Sequence, residues 1–177
     1  MACLIDQEII KKTIEFHGHS CPGLAIGIRV SELAMEKINI AEVTAPVCVV
    51  ETDMCAVDAV QFLTGCTYGK GNLIHKDYGK SAFTFFDRNS NVGFRALFNK
   101  NFPRSENREI SLKKIMGADL EELFTVKAIS KDPVRPARIM ESIECQSCGE
   151  LVMESRIRRF DGKYLCIPCF MANEQKI

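Results

Sequence analysis

The chain has no tryptophan, only three histidines and three tyrosines, and no net charge, its 23 lysines and arginines being matched by 23 acidic residues. The balance removes any bulk field that would draw the protein onto nucleic acid or an anionic surface. No apolar run reaches the ~20 residues that span a bilayer. The first residues, Met1 to Glu8, lack the basic segment and apolar core of a secretory signal, so a cytoplasmic location and no membrane partner are expected. Internal repeats and low-complexity tracts are also missing. Cysteine is the exception to this scarcity: there are nine, an odd number that fits reduced thiols and metal sites better than a closed disulfide set.

Four of the nine form a strong pattern. Cys145-Gln146-Ser147-Cys148 and Cys166-Ile167-Pro168-Cys169 are separated by seventeen residues, the spacing of a tetrathiolate zinc site built from two knuckles. Val152 to Phe160 and Lys163 to Leu165 read as strands around an Asp161-Gly162 hairpin turn, and Phe170 to Glu174 as a short helix. This is a treble-clef or zinc-ribbon shape, stabilised by zinc because about forty residues bury too little apolar surface alone. From Glu141 to Ile177 the five basic residues are outnumbered by six acidic ones, so nucleic acid is not the expected partner despite Arg156, Arg158 and Arg159. An interaction or dimerisation module is the better reading. Lys131 to Arg138, with Pro133 and Pro136, is the expected linker between a core domain, 1–138, and a zinc-binding domain, 139–177.

In the core, Asp6 is placed to cap a helix running to about Phe16. Pro22 suits the first position of a second helix, largely buried, with a thin polar stripe at Arg29, Glu32 and Glu36. Val47 to Val50 is a strand. A helix capped by Thr52 or Asp53 and ended by Gly65 places Cys55 in its first turn, where backbone N–H groups favour a thiolate. Residues 73–75, 81–87 and 92–97 read as strands of an antiparallel meander, 111–116 and 119–124 as short helices, and 125–129 as a last strand. The fold class is therefore α+β, with helices packed on a mainly antiparallel sheet. Gly65 to Asn72 resembles a phosphate loop only superficially, since the spacing is one residue short and Gly71 stands where a hydroxyl is needed.

Two segments carry possible core chemistry: His17, His19 and Cys21 before the second helix, and Cys55 with Asp58 and Cys66 around the third. Imidazole plus thiolate suits zinc or a related soft divalent ion, and three protein ligands would leave an open position. Alternatively His19 caps the second helix and the cysteines are buried small apolar residues. A cysteine–histidine nucleophile is a third possibility.

Phe16-His17-Gly18-His19-Ser20-Cys21-Pro22-Gly23-Leu24 with Gly27 and Arg29, then Glu51 to Cys55 with Asp58 to Gln61, then Gly65 to Leu73, resemble the E-subunit family of formylmethanofuran dehydrogenase. Cys145, Cys148, Cys166 and Cys169 resemble the zinc appendage of many members. The resemblance implies an α+β core followed by a treble-clef zinc domain, assembled as a homodimer. It also implies a core metal, expected to be zinc, held by His19, Cys21 and Cys55 with His17 and Cys66 close by. The function expected first is a metal-handling accessory of a molybdenum or tungsten oxidoreductase, with Lys70 holding an anionic group. The alternative is a free-standing metal-dependent enzyme acting through Cys21 and Cys55, with Asp58 as general base. A nucleic-acid or regulatory role of the zinc domain comes third.

Overall fold

The computed structural model describes residues 3–103, 105–135 and 138–174. The chain divides into two compact units between residues 136 and 137, two residues before the expected boundary; Pro136 and Ala137 of the expected linker lie outside the described residues. Among the described residues no helix is long and apolar enough to cross a membrane.

In the first unit, helix α1 (Gln7–His17) starts at Asp6, whose carboxylate accepts the N–H groups of Glu8 and Ile9, and stops at Gly18 in the left-handed conformation, φ 90°. It runs one residue past the expected end and so carries His17 itself. Helix α2 (Pro22–Ile38) begins at Pro22 as expected, and the Cys21 sulfur accepts the Leu24 N–H at 3.3 Å. Thus Cys21, and not His19, caps this helix. Arg29 is not on a solvated stripe: it is 1% exposed, paired with Glu32 at 2.9 Å, and donates to the Ala118 carbonyl. Its charge is tolerated inside because partners surround it.

Strand β1 (Pro46–Val50) leads into α3 (Ala56–Thr64), then β2 (Leu73–His75), β3 (Ala82–Asp87), β4 (Val92–Phe98), α4 (Arg108–Gly117), α5 (Leu120–Leu123) and β5 (Phe124–Ile129). The sheet order is β2-β1-β3-β4-β5. β3, β4 and β5 form the expected antiparallel run, but β2 does not belong to it. It lies on the far side of β1 and pairs with it in parallel, Cys48 opposite Leu73, so β1-α3-β2 is a crossover unit. Residues 65–72 suffice to return from the helix to a parallel partner, and no turn signal distinguishes that return from a hairpin. The face carrying Cys48, Val50, Phe83, Phe85, Phe94, Ala96 and Phe98 packs with Ala25, Val30 and Leu33 of α2 and Val60 of α3 into one apolar cluster. On the opposite face the Phe86 ring lies against Gly93, where any Cβ would come within 2.6 Å of it.

The second unit has β6 (Ser142–Glu144), β7 (Leu151–Met153), β8 (Arg158–Phe160), β9 (Lys163–Leu165) and α6 (Ile167–Asn173). Asp161 and Gly162 turn the β8–β9 hairpin with φ 47° and 74°. The expected long strand from 152 to 160 is two short ones, divided by a helical turn at Glu154–Arg156; β7 pairs instead with β6, a partner that pattern alone does not reveal.

Glu51, immediately after β1, reaches across the sheet to Arg95 of β4 with both oxygens, at 2.6 and 2.8 Å. The Arg95 guanidinium holds its carboxyl below the usual range, so the pair stabilises the fold above the unfolded pKa of ~4.3 and is lost as pH falls through the folded value. Replacing Glu51 with Gln is expected to cost on the order of 1 kcal/mol at pH 7. Urea denaturation of both proteins should show that difference shrinking as the pH is lowered below ~4.

Candidate metal centres

Two glycines bring the starts of α2 and α3 together. A Cβ on Gly27 would sit 2.3 Å from the Ala56 carbonyl oxygen and 2.7 Å from its Cα, so the helix backbones touch there. One turn earlier, a Cβ on Gly23 would meet the Cys55 Cβ at 3.2 Å and the Cys21 sulfur at 3.8 Å. The sulfurs of Cys21 and Cys55 therefore face each other across this seam. α1 delivers His17 as its last residue, and the reversal at Gly18 places the His19 ring 4.4 Å, centroid to centroid, from that of His17.

The outcome is a compact donor set: ligand atoms of His17, His19, Cys21 and Cys55 all lie within 4.8 Å of one another. Asp58 Oδ2 stands 2.7 Å from His17 Nδ1. A carboxylate only accepts, so Nδ1 carries the proton and Nε2 presents its lone pair. That Nε2 atom is buried and has no hydrogen-bond partner, the condition expected of a metal ligand whose outer nitrogen is held by a carboxylate. Two thiolates and two imidazoles match the tetrahedral, soft-donor preference of zinc. Four donors, not three, are thus gathered, and His17 belongs to the set itself.

Several expectations change. α3 starts one residue later than Cys55, which stands at the cap position; Thr52 accepts the Met54 N–H and caps only a preceding turn. Burial, then the adjacent Cys21 thiol, push the Cys55 thiol up, so the metal-free site does not hold the thiolate expected of a first-turn cysteine. Asp58 is engaged with His17, which makes it an orienting residue and not a free base. Cys66 is not brought to the cluster: it is fully buried in the core beside Cys48. Lys70 donates to the Gly65 carbonyl at the end of α3, and the N–H groups of Thr67, Tyr68, Lys70 and Gly71 are bonded locally, leaving no anion cradle formed by these groups.

Sequence reasoning missed His75. It ends β2 and, with His17, Asp53, Cys55, Asp58 and Tyr68, lines a cleft of about 590 Å³ that has no lysine or arginine in its wall. The cleft opens at the carboxyl ends of the two parallel strands, the usual ligand position in such crossovers. With only three histidines in the chain, each in this one region, histidine scarcity was the signal available.

In the second unit, Cys145, Cys148, Cys166 and Cys169 have sulfurs within 4.8 Å of one another. Backbone N–H groups of Cys148 and Cys166 hold the Cys145 thiol down to about 6, favouring the thiolate that a metal needs. Leu165 and the Phe160–Phe170 ring pair, centroids 5.6 Å apart, supply the small apolar core around it.

Together these features define a two-unit metal-binding protein, an α+β core with a mixed histidine–cysteine cluster followed by a four-cysteine zinc finger. The chain belongs to the FmdE family: residues 16–132 match "FmdE, Molybdenum formylmethanofuran dehydrogenase operon", and residues 132–175 match "Prokaryotic dksA/traR C4-type zinc finger". It is 34% identical to a "Probable S-adenosyl-L-methionine-binding protein" of Archaeoglobus fulgidus over 91% of this chain and 52% of that one, so it spans about half the length of this relative. The fold is that of an FmdE-like protein of the tungsten formylmethanofuran dehydrogenase type from Syntrophus aciditrophicus, with TM-score 0.74, 21% identity and 99% of each chain covered.

If Asp58 orients His17 for a metal, Asp58→Asn should lower zinc affinity of the core cluster about 10–100-fold, measured by competition with a chromophoric chelator. An unchanged affinity would assign the His17–Asp58 contact to packing alone.

Proposed function

We propose that this chain is a metal-handling accessory protein whose core cluster binds zinc through His17, His19, Cys21 and Cys55. The observation that carries the reading is the gathering of four soft donors in one half-exposed set, with the His17 Nε2 atom buried and unpartnered. Four protein donors fill a tetrahedral shell, which supports binding and delivery of a metal over an open catalytic position. The finger holds its own zinc as a structural centre. As partner we propose a molybdenum or tungsten oxidoreductase, supported by the family's description, and as assembly a homodimer. Elemental analysis coupled to size exclusion and light scattering tests this on protein purified without added metal. The expected result is two metals per chain at twice the chain mass, falling to one in a Cys21→Ser/Cys55→Ser variant. One metal in the native chain would remove the core site from the proposal.

A second reading attaches to the cleft beside the cluster. The Archaeoglobus relative is named for S-adenosyl-L-methionine, a sulfonium cation, and this cleft carries Asp53 and Asp58, the exposed Tyr68 ring and no lysine or arginine. With two thiolates neutralising a bound zinc, both carboxylates leave the cleft negative, a field that attracts such a cation. Isothermal titration of the zinc-loaded chain should show S-adenosyl-L-methionine binding at least tenfold tighter than S-adenosylhomocysteine, which lacks the sulfonium charge. Equal affinities would mean that the cleft does not read the charge.

A further inference from the structure

A second cavity, sharing no lining residue with the cleft, opens on another side of the first turn of α2. Whereas Gly23 faces Cys55, Pro22 and Ile26 join Phe98 at the end of β4, Phe102 in the following loop and Ile115 of α4 around a space of about 290 Å³. Phe98 and Phe102 meet edge to face, centroids 5.7 Å apart, and give it aromatic walls. An apolar cavity of about 150 Å³ accepts benzene, so this one has room for a ring and a polar head.

The polar atoms at the rim are not equivalent. The Ser111 hydroxyl is engaged: it donates to the Ser105 carbonyl at 2.9 Å and accepts the Ser105 N–H at 3.0 Å. The Ser105 hydroxyl accepts the Asn107 N–H at 3.2 Å. Arg108, the first residue of α4, is the one charged lining residue, and it has no hydrogen bond or ion pair among the described residues. Its planar fork matches a carboxylate two bonds at a time. An apolar chamber with one unpaired guanidinium at its rim is the arrangement that selects a small monoanion with an apolar body.

We propose that this cavity is a binding site for a small aromatic or branched aliphatic monocarboxylate, its body among Ile26, Phe98, Phe102 and Ile115 and its carboxylate on Arg108. The site is independent of the metal cluster and of the cleft, so neither reading above stands or falls with it.

Benzoate is the probe, with the full-length zinc-loaded chain, followed by ligand-observed NMR and isothermal titration. Benzoate is expected to bind, benzyl alcohol at least fivefold more weakly. Arg108→Gln should abolish that preference, and Ile26→Phe, which fills the chamber with a tolerated apolar side chain, should abolish binding of both. Circular dichroism and metal content identify any variant that has failed to fold, and Arg108→Lys, which keeps charge without the fork, gives a second reading of the same residue. No benzoate binding at millimolar concentration overturns the proposal. Equal binding of acid and alcohol, or binding unaffected by Arg108→Gln, overturns the assignment of a carboxylate.

Discussion

The contact between Gly27 and Ala56 is the constraint on which the core site depends. With the α2 and α3 backbones in touch there, the Cys21 and Cys55 ends of the two helices are fixed one turn away, and a side chain larger than hydrogen at residue 27 would push into a peptide group that has nowhere to yield. The donor set is therefore a product of helix packing. Its positioning comes from a buried seam remote from solvent, while its donors remain partly accessible, with His19 exposed.

The site then acquires its chemistry from a second layer. Asp58 lies in the first turn of α3, on the helix that Cys55 caps, so one element supplies a thiol directly and orients an imidazole from α1 through a hydrogen bond. A zinc ion with two thiolates carries no net charge, and the Asp58 carboxylate makes the assembly as a whole anionic. The finger achieves its own pre-organisation by other means: knuckle N–H groups aimed at sulfur lower the cost of deprotonating Cys145 before any metal arrives.

Much of this was legible in the residues. Caps and stops such as Asp6, Pro22 and Gly65, the paired knuckles, and the turn at Asp161-Gly162 are local signals, each acting within a few positions, and the structure keeps all of them. What pattern could not show was non-local. Nothing between Gly65 and Leu73 indicates that β2 returns to β1 in parallel, and Arg29 looked solvated because its partners lie near residue 118. Cys66 and Cys55 share a residue type and a neighbourhood in sequence, yet burial in the core separates them. His75 escaped notice because its relevance comes from the crossover, which only the assembled sheet displays.

The strand order has a further consequence for a chain emerging from the ribosome. β5 is the last strand of the core to be made, and it pairs only with β4, its register running from Phe98 opposite Phe124 to Gly93 opposite Ile129. Until residues 124–129 have left the exit tunnel, the outer edge of β4 stands unpaired, with Phe94, Ala96 and Phe98 beside it and Arg95 as its sole charge. An open apolar edge of this kind templates pairing with other chains. The nascent protein is thus at its most aggregation-prone after β4 emerges and before β5 docks, and release from that hazard precedes synthesis of the zinc finger's first cysteine.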